Sequence, residues 1–291
     1  MPLYGWVGLA VLLVSEAGTL ARIEPFWTWH TAVAWTAYIL LVDAIVWNRC
    51  GSSWIRSAPA EFAFLAILSI PLWLVFECYN PFIDSWDYLN LPDPPLRYFG
   101  DAWAAFATIS PAIFETADLA ATLRAPETDR RQLPAPRMSS AQMASIAVGL
   151  VMLILPFIWP SPWLAAPVWP GFIFLLDPIN ARLGADWLFA GRAGLWPTRA
   201  GSLMLSGLIC GFLWEFWNYW ARARWVYNVP ILPDVKIFEM PVLGYLGFPA
   251  FALEYFTMYV FVRHWLWRGR LAESPRPLVS VYLPRSTVEA V

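Results

Sequence analysis

Eight stretches of this chain are long and apolar enough to cross a lipid bilayer, and that property governs everything else the sequence can do. A transmembrane helix needs roughly 20 predominantly apolar residues. Runs of this kind fall at about 4–22, 31–48, 60–79, 101–121, 142–160, 166–182, 201–221 and 241–263. Only 14% of the residues are charged and 59% are hydrophobic, against roughly 25% charge in a soluble domain. The expected fold class is therefore all-α, a polytopic integral membrane protein of eight helices. Prolines in "PFIWPSPWLAAPVWP" interrupt the fifth and sixth runs. The N-terminal run lacks a basic leader, so it reads as a first membrane helix and not as a cleaved signal.

Composition also excludes several classes. A net charge of −2 gives no basic footprint for nucleic acid. The three cysteines, Cys50, Cys78 and Cys210, form no C-x-x-C spacing, and the two histidines, His30 and His264, stand apart. A metal centre is not expected, and no cofactor is implied. The partners expected are the bilayer and a lipophilic substrate or lipid; the sequence fixes no oligomeric state. Of the 19 basic residues, only Arg22, Arg97, Arg222, Arg224 and Lys236 fall on the side opposite the two termini of an eight-helix chain. The positive-inside rule then places both termini in the cytoplasm of a bacterium, with the chain in its inner membrane.

Laid on itself, the chain repeats. "YILLVDAIVWNRCGSSW" (38–54) matches "FIFLLDPINARLGADW" (172–187), with Asp43 on Asp177, Arg49 on Arg182, Gly51 on Gly184 and Trp54 on Trp187. "FECYNPFIDSWDYLNLP" (76–92) matches "WEFWNYWARARWVYNVP" (214–230). Glu77 falls on Glu215, Asn80 on Asn218, Trp86 on Trp225, Tyr88 on Tyr227 and Glu115 on Glu254. This predicts a first four-helix repeat over 1–121, a polar cytoplasmic linker over 122–141, a second repeat over 142–265 and a cytoplasmic tail over 266–291. An even number of helices per unit makes the repeats parallel, with ligand sites between them.

Charge inside a span costs ~2.5 to 3.5 kcal/mol for an Asp on insertion scales, and marks function by default. Glu77 with Asn80, and Glu215 with Asn218, share a helix face at a spacing of three; each pair is expected to orient a substrate or take up a proton. Helix-to-helix hydrogen bonding would equally place such residues there. Glu115 and Glu254 lie deeper, where low dielectric raises a carboxyl pKa and suits a general acid. Glu239, in the loop 228–251, is a weaker candidate. Asp43 and Asp177 read as structural clamps to Arg49 and Arg182, and Gly51 and Gly184 as helix C-caps. Trp214 and Trp217, with Trp86, Tyr88, Trp225 and Tyr227, are expected to line a substrate site, since aromatic faces also stabilise cations. Interfacial belts account for most other tryptophans.

"LLVDAIVWNRCGSSW", "LWEFWNYW" and "KIFEMPVLGYLGFPAFALEYFTMY" resemble a group of bacterial multi-pass membrane proteins of uncharacterised function. In organisation the chain is also distantly similar to the two-repeat membrane-integral lycopene cyclases. In place of that family's Pro-x-Glu-Glu motif it has Pro111 with Glu115, and Pro249 with Glu254. The resemblance implies a cofactor-independent enzyme acting on an isoprenoid or carotenoid, in which a membrane glutamate protonates a double bond. A transporter or flippase with its site between the repeats, and a non-catalytic membrane scaffold, are the other functions this pattern allows.

Overall fold

The structure is a computed structural model, described over residues 1–100, 106–123, 138–185, 187–188 and 195–266. Most of the expected linker and almost all of the expected tail lie outside those residues. Helices α1 (Leu3–Leu20) and α2 (Phe26–Cys50) pack as an antiparallel pair. Small residues allow this: a Cβ on Gly8 would sit 2.7 Å from the Ala37 carbonyl oxygen, and one on Gly5 would meet Ala44. Gly51, at φ 66, ends α2 in the left-handed conformation expected of a C-cap. A single turn, α3 (Trp54–Ser57), leads into α4 (Pro59–Ile83). Strand β1 (Trp86–Leu89) and the short α5 (Leu96–Gly100) precede α6 (Ile109–Ala121).

The second part of the chain follows the same order. Helices α7 (Ser140–Ile158) and α8 (Ala165–Arg182) pair as α1 and α2 do, with Gly149 against the backbone of Leu175 and Gly171. Gly184, at φ 70, takes the left-handed conformation just past α8. Helix α9 (Leu195–Trp220) leads to β2 (Arg224–Tyr227), then to the small strands β3 (Lys236–Ile237) and β4 (Met240–Pro241), and finally to α10 (Gly247–Leu266). Helix α6 packs on α2 and α4, as α10 packs on α8 and α9. Between the two parts, the largest contact is α6 on α9.

Seven helical segments among the described residues are long and apolar enough to cross a membrane: Leu3–Leu20, Phe26–Cys50, Pro59–Ile83, Ser140–Ile158, Pro162–Arg182, Arg199–Trp220 and Val242–Leu266. The protein thus has the build of a multi-pass, mostly helical membrane protein. Of the expected fourth span, 101–121, residues 101–105 lie outside the described residues. Its described helix, α6, has 13 residues. Its entry is held by Ser69, whose hydroxyl donates to the Phe106 carbonyl at 2.5 Å and accepts from the Ser110 amide at 3.0 Å. Phe106, Thr108 and Ser110 are buried.

Two small antiparallel sheets accompany the helices among the described residues. Strand β3 pairs with β4. Strand β1 pairs with β2 across the two parts of the chain, with Trp86 opposite Tyr227 and Tyr88 opposite Trp225. The register is reciprocal: each Trp-x-Tyr places its tryptophan opposite the other's tyrosine.

Candidate functional site

The glutamate–asparagine pairs sit in the last turns of α4 and α9, beside those strands. The Asn80 amide donates to the Trp86 carbonyl at 2.7 Å, and its oxygen accepts from the Ser85 and Trp86 amides at 3.0 and 3.2 Å. Asn218 does the same to Trp225, at 2.7 Å to its carbonyl and 2.9 Å from its amide. A left-handed Asp84, at φ 45, turns the chain back so that β1 can be reached from its own helix. One helical turn earlier, Glu77 accepts from the Tyr88 hydroxyl at 2.5 Å and from Trp73 Nε1 at 2.7 Å. Glu215 accepts from the Tyr227 hydroxyl at 2.8 Å, and Tyr227 in turn accepts from Trp225 Nε1 at 2.8 Å. Burial, with the adjoining carboxylates, holds both tyrosine hydroxyls well above the ordinary phenol range, so they stay protonated donors.

Asn80 and Asn218 anchor the strands through their amide groups. Trp86, Tyr88, Trp225 and Tyr227 belong to the same paired-strand assembly. Glu215 keeps one loose end: its Oε2 is buried without a hydrogen-bond partner among the described residues.

Above the strands, aromatic rings fill the junction between the two parts of the chain. Trp35 of α2 lies 5.0 Å from Trp214 of α9, while Trp169 of α8 lies 5.2 Å from Phe76 of α4. Tyr38 meets Trp217 at 5.9 Å, and Phe172 meets Tyr79 at 6.5 Å. These separations are within the range of favourable ring pairs, worth ~0.5 to 1.5 kcal/mol each beyond burial. The pairs are again reciprocal, helix for helix. Trp214 and Trp217, expected to line a substrate site, pack against rings of the other half.

Glu115 and Glu254 are buried completely. Glu115 lies against the Asp43 carboxyl, close enough to share a proton with it in a side-chain hydrogen bond, and Asp118 acts on it electrostatically. Glu254 accepts from the Phe172 amide at 3.1 Å through one oxygen, and its other oxygen is orphaned. The two acids sit at corresponding points of α6 and α10.

Asp43 is a clamp, but to backbone and hydroxyl donors. Asp43 accepts from the Tyr4 hydroxyl, from Ser53 Oγ at 3.0 Å and from the Ile55 amide at 2.9 Å. Asp177 accepts from the Leu188 amide at 2.5 Å. Arg49, the expected partner of Asp43, reaches Thr122 instead, at 3.0 Å. Glu239 pairs with Arg224 at 3.3 Å.

Two polar clusters were not anticipated. Arg263 Nε and the Tyr259 hydroxyl both donate to Glu61 Oε1, at 2.5 and 2.6 Å, tying α10 to the start of α4. Glu16 accepts from Trp217 Nε1 at 2.7 Å and lies 3.7 Å from His30, whose other ring nitrogen is 3.0 Å from Ser15. Isolated charges at opposite ends of distant helices gave the signal for the first; its pairing needs tertiary structure. No group of three or more His, Cys, Asp or Glu side chains among the described residues is arranged to hold a metal.

No family model matches the chain, and no curated protein or solved structure is significantly similar to it.

Proposed function

We propose that this protein is a membrane-embedded acid–base catalyst of a lipophilic, isoprenoid-like substrate, built from two parallel repeats with its termini on the cytoplasmic side of a bacterial inner membrane. The observation that carries the reading is the pair of fully buried carboxyl groups, Glu115 beside the Asp43 carboxyl and Glu254 with one oxygen unpartnered among the described residues. An unsatisfied buried polar atom costs ~1 to 3 kcal/mol, and such a group in a membrane interior points to function. A protonated carboxyl there would add its proton to one carbon of a double bond. The resulting carbocation would rest against aromatic faces. Loss of a proton from a neighbouring carbon back to a carboxylate would complete an isomerisation or ring closure with no net redox change. The two-repeat reading is supported by the reciprocal strand register and the reciprocal ring pairs.

The test is to supply membranes carrying Glu115→Gln or Glu254→Gln with linear polyenes and follow the products chromatographically. Conversion should fall at least a hundredfold in one variant, the usual contribution of general acid catalysis. Full conversion by both would sink the acid role. A purely structural role for the same acids, which the strand anchoring by Glu77 and Glu215 favours, predicts lost thermal stability with no activity to lose.

A further inference from the structure

Three of the five basic residues that the sequence places opposite the termini converge in one place. A cleft of about 530 Å³ opens where α1 ends and α9 gives way to β2, and Arg22, Arg222 and Arg224 all line it. Arg222 pairs with Glu24 and Arg224 with Glu239, each at 3.3 Å. Arg22 has no carboxylate within ion-pair distance among the described residues. Its guanidinium and that of Arg222 both lie over the Trp27 ring, 5.6 Å from its centre. Arg22 also holds a left-handed backbone, φ 56, that side chains other than glycine rarely adopt. Bonds from the Arg22 amide to Thr19 and from the Ile23 amide to Gly18 fix that turn. Arg22 is exposed where it lines the cleft.

The surroundings are those of a lipid interface. Trp220 is 44% and Leu20 70% exposed, and both line the cleft at the ends of spanning helices. The volume is within the range of small-molecule sites and far exceeds what a bare oxyanion needs. Guanidinium groups bind phosphate oxygens in a two-pronged geometry and stack on aromatic rings. We infer that this cleft binds the phosphate headgroup of an anionic amphiphile, whose chains run down the exposed apolar surface beside Leu20. The inference stands apart from the acid–base reading, since none of the cleft residues belongs to the carboxyl pair.

The test uses the delipidated full chain in detergent, titrated with short-chain phosphatidic acid, short-chain phosphatidylcholine and inorganic phosphate, with binding read by native mass spectrometry and calorimetry. Phosphatidic acid should bind at least tenfold more tightly than phosphatidylcholine. Arg22→Gln should cut that affinity by about ten- to a hundredfold, the loss of one charge-assisted contact, while Arg22→Lys keeps part of it. An unchanged melting temperature in Arg22→Gln shows that folding is intact; should that variant melt early, Arg222→Gln carries the same expectation. Inorganic phosphate binding as tightly as phosphatidic acid would overturn the lipid assignment in favour of a free anion. Equal binding of the two lipids, or affinity unmoved by either arginine variant, would overturn the site altogether.

Discussion

Removing the Asn218 side chain should cost far more than a surface asparagine normally would. In the folded protein its amide satisfies the Trp225 carbonyl at 2.7 Å and its oxygen satisfies the Trp225 amide at 2.9 Å. Asn218 is fully buried and Trp225 is partly buried, so Asn218→Ala leaves a donor and an acceptor with restricted access to water. Each lost bond is worth about 1 kcal/mol net, and a stranded buried partner ~1 to 3 kcal/mol. Two stranded partners would cost about 2 to 6 kcal/mol, discounted to about 2 where water reaches the partly exposed Trp225. Asn218→Asp keeps the acceptor but loses the donor and adds a buried charge, so it should be at least as harmful. Because β1 lies against β2, the damage should couple to Asn80: the Asn80→Ala/Asn218→Ala pair should depart from additivity by about 0.5 kcal/mol or more. Thermal unfolding in detergent gives the stability change, and hydrogen exchange at the Trp225 amide reports the local bond. A variant with wild-type melting and an undiminished Trp225 protection factor would refute the anchoring role outright.

Three further outcomes follow from contacts elsewhere. Glu61→Gln removes the charge opposing Arg263 and should lower stability by about 3 kcal/mol, while Glu61→Leu/Arg263→Met, by removing both charges, should recover much of it; melting curves decide. Gly207→Val would place a Cβ 2.3 Å from the Phe248 carbonyl oxygen and force α9 from α10 at a cost of about 1 to 3 kcal/mol, visible as lost expression of folded protein. Glu24 is held below the ordinary carboxylate range chiefly by the Thr28 hydroxyl, helped by the Thr28 amide and Arg222. Its small stabilising effect is therefore complete above about pH 4.3 and fades as the pH falls through the lowered value. Exchange at the Thr28 amide should quicken over that acidic window, and Glu24→Gln should abolish the dependence.

How much of this was legible in the sequence depends on the range of the interaction. The seven long helices were readable because hydropathy is a local sum, and their bounds fall within a few residues of the apolar runs. The hold of Ser69 on Phe106 and Ser110 was not, because these partners lie 37 and 41 residues away in the chain. Glycines 51 and 184 were read correctly because a left-handed C-cap is a local requirement. The duplicated Glu and Asn pairs were found by self-comparison, yet their partners were hidden: a turn at Asp84 and another after Ala221 fold Trp86 and Trp225 back onto them. The same holds for Asp43, where the nearest arginine in sequence lost to the Ile55 amide, which the turn through Ser53 delivers. Glu115 and Glu254 stood out as buried acids in both views, since nothing local neutralises them.

The reciprocal ladder between β1 and β2 limits how the protein can move. Alternating access by rocking two halves about a central site needs each end of the molecule to part in turn. At this end the halves share the strand pairing, a bond from the Ser161 amide to the Phe82 carbonyl at 2.9 Å and one from the Asn228 amide to the Ser85 carbonyl at 2.9 Å. At ~0.5 to 1.5 kcal/mol for each bond, opening here would cost several kcal/mol on every cycle. Arg263 and Tyr259 of α10 hold Glu61 at the start of α4 at the opposite end, so the two parts are tied at both ends and any rocking motion must break one set of contacts.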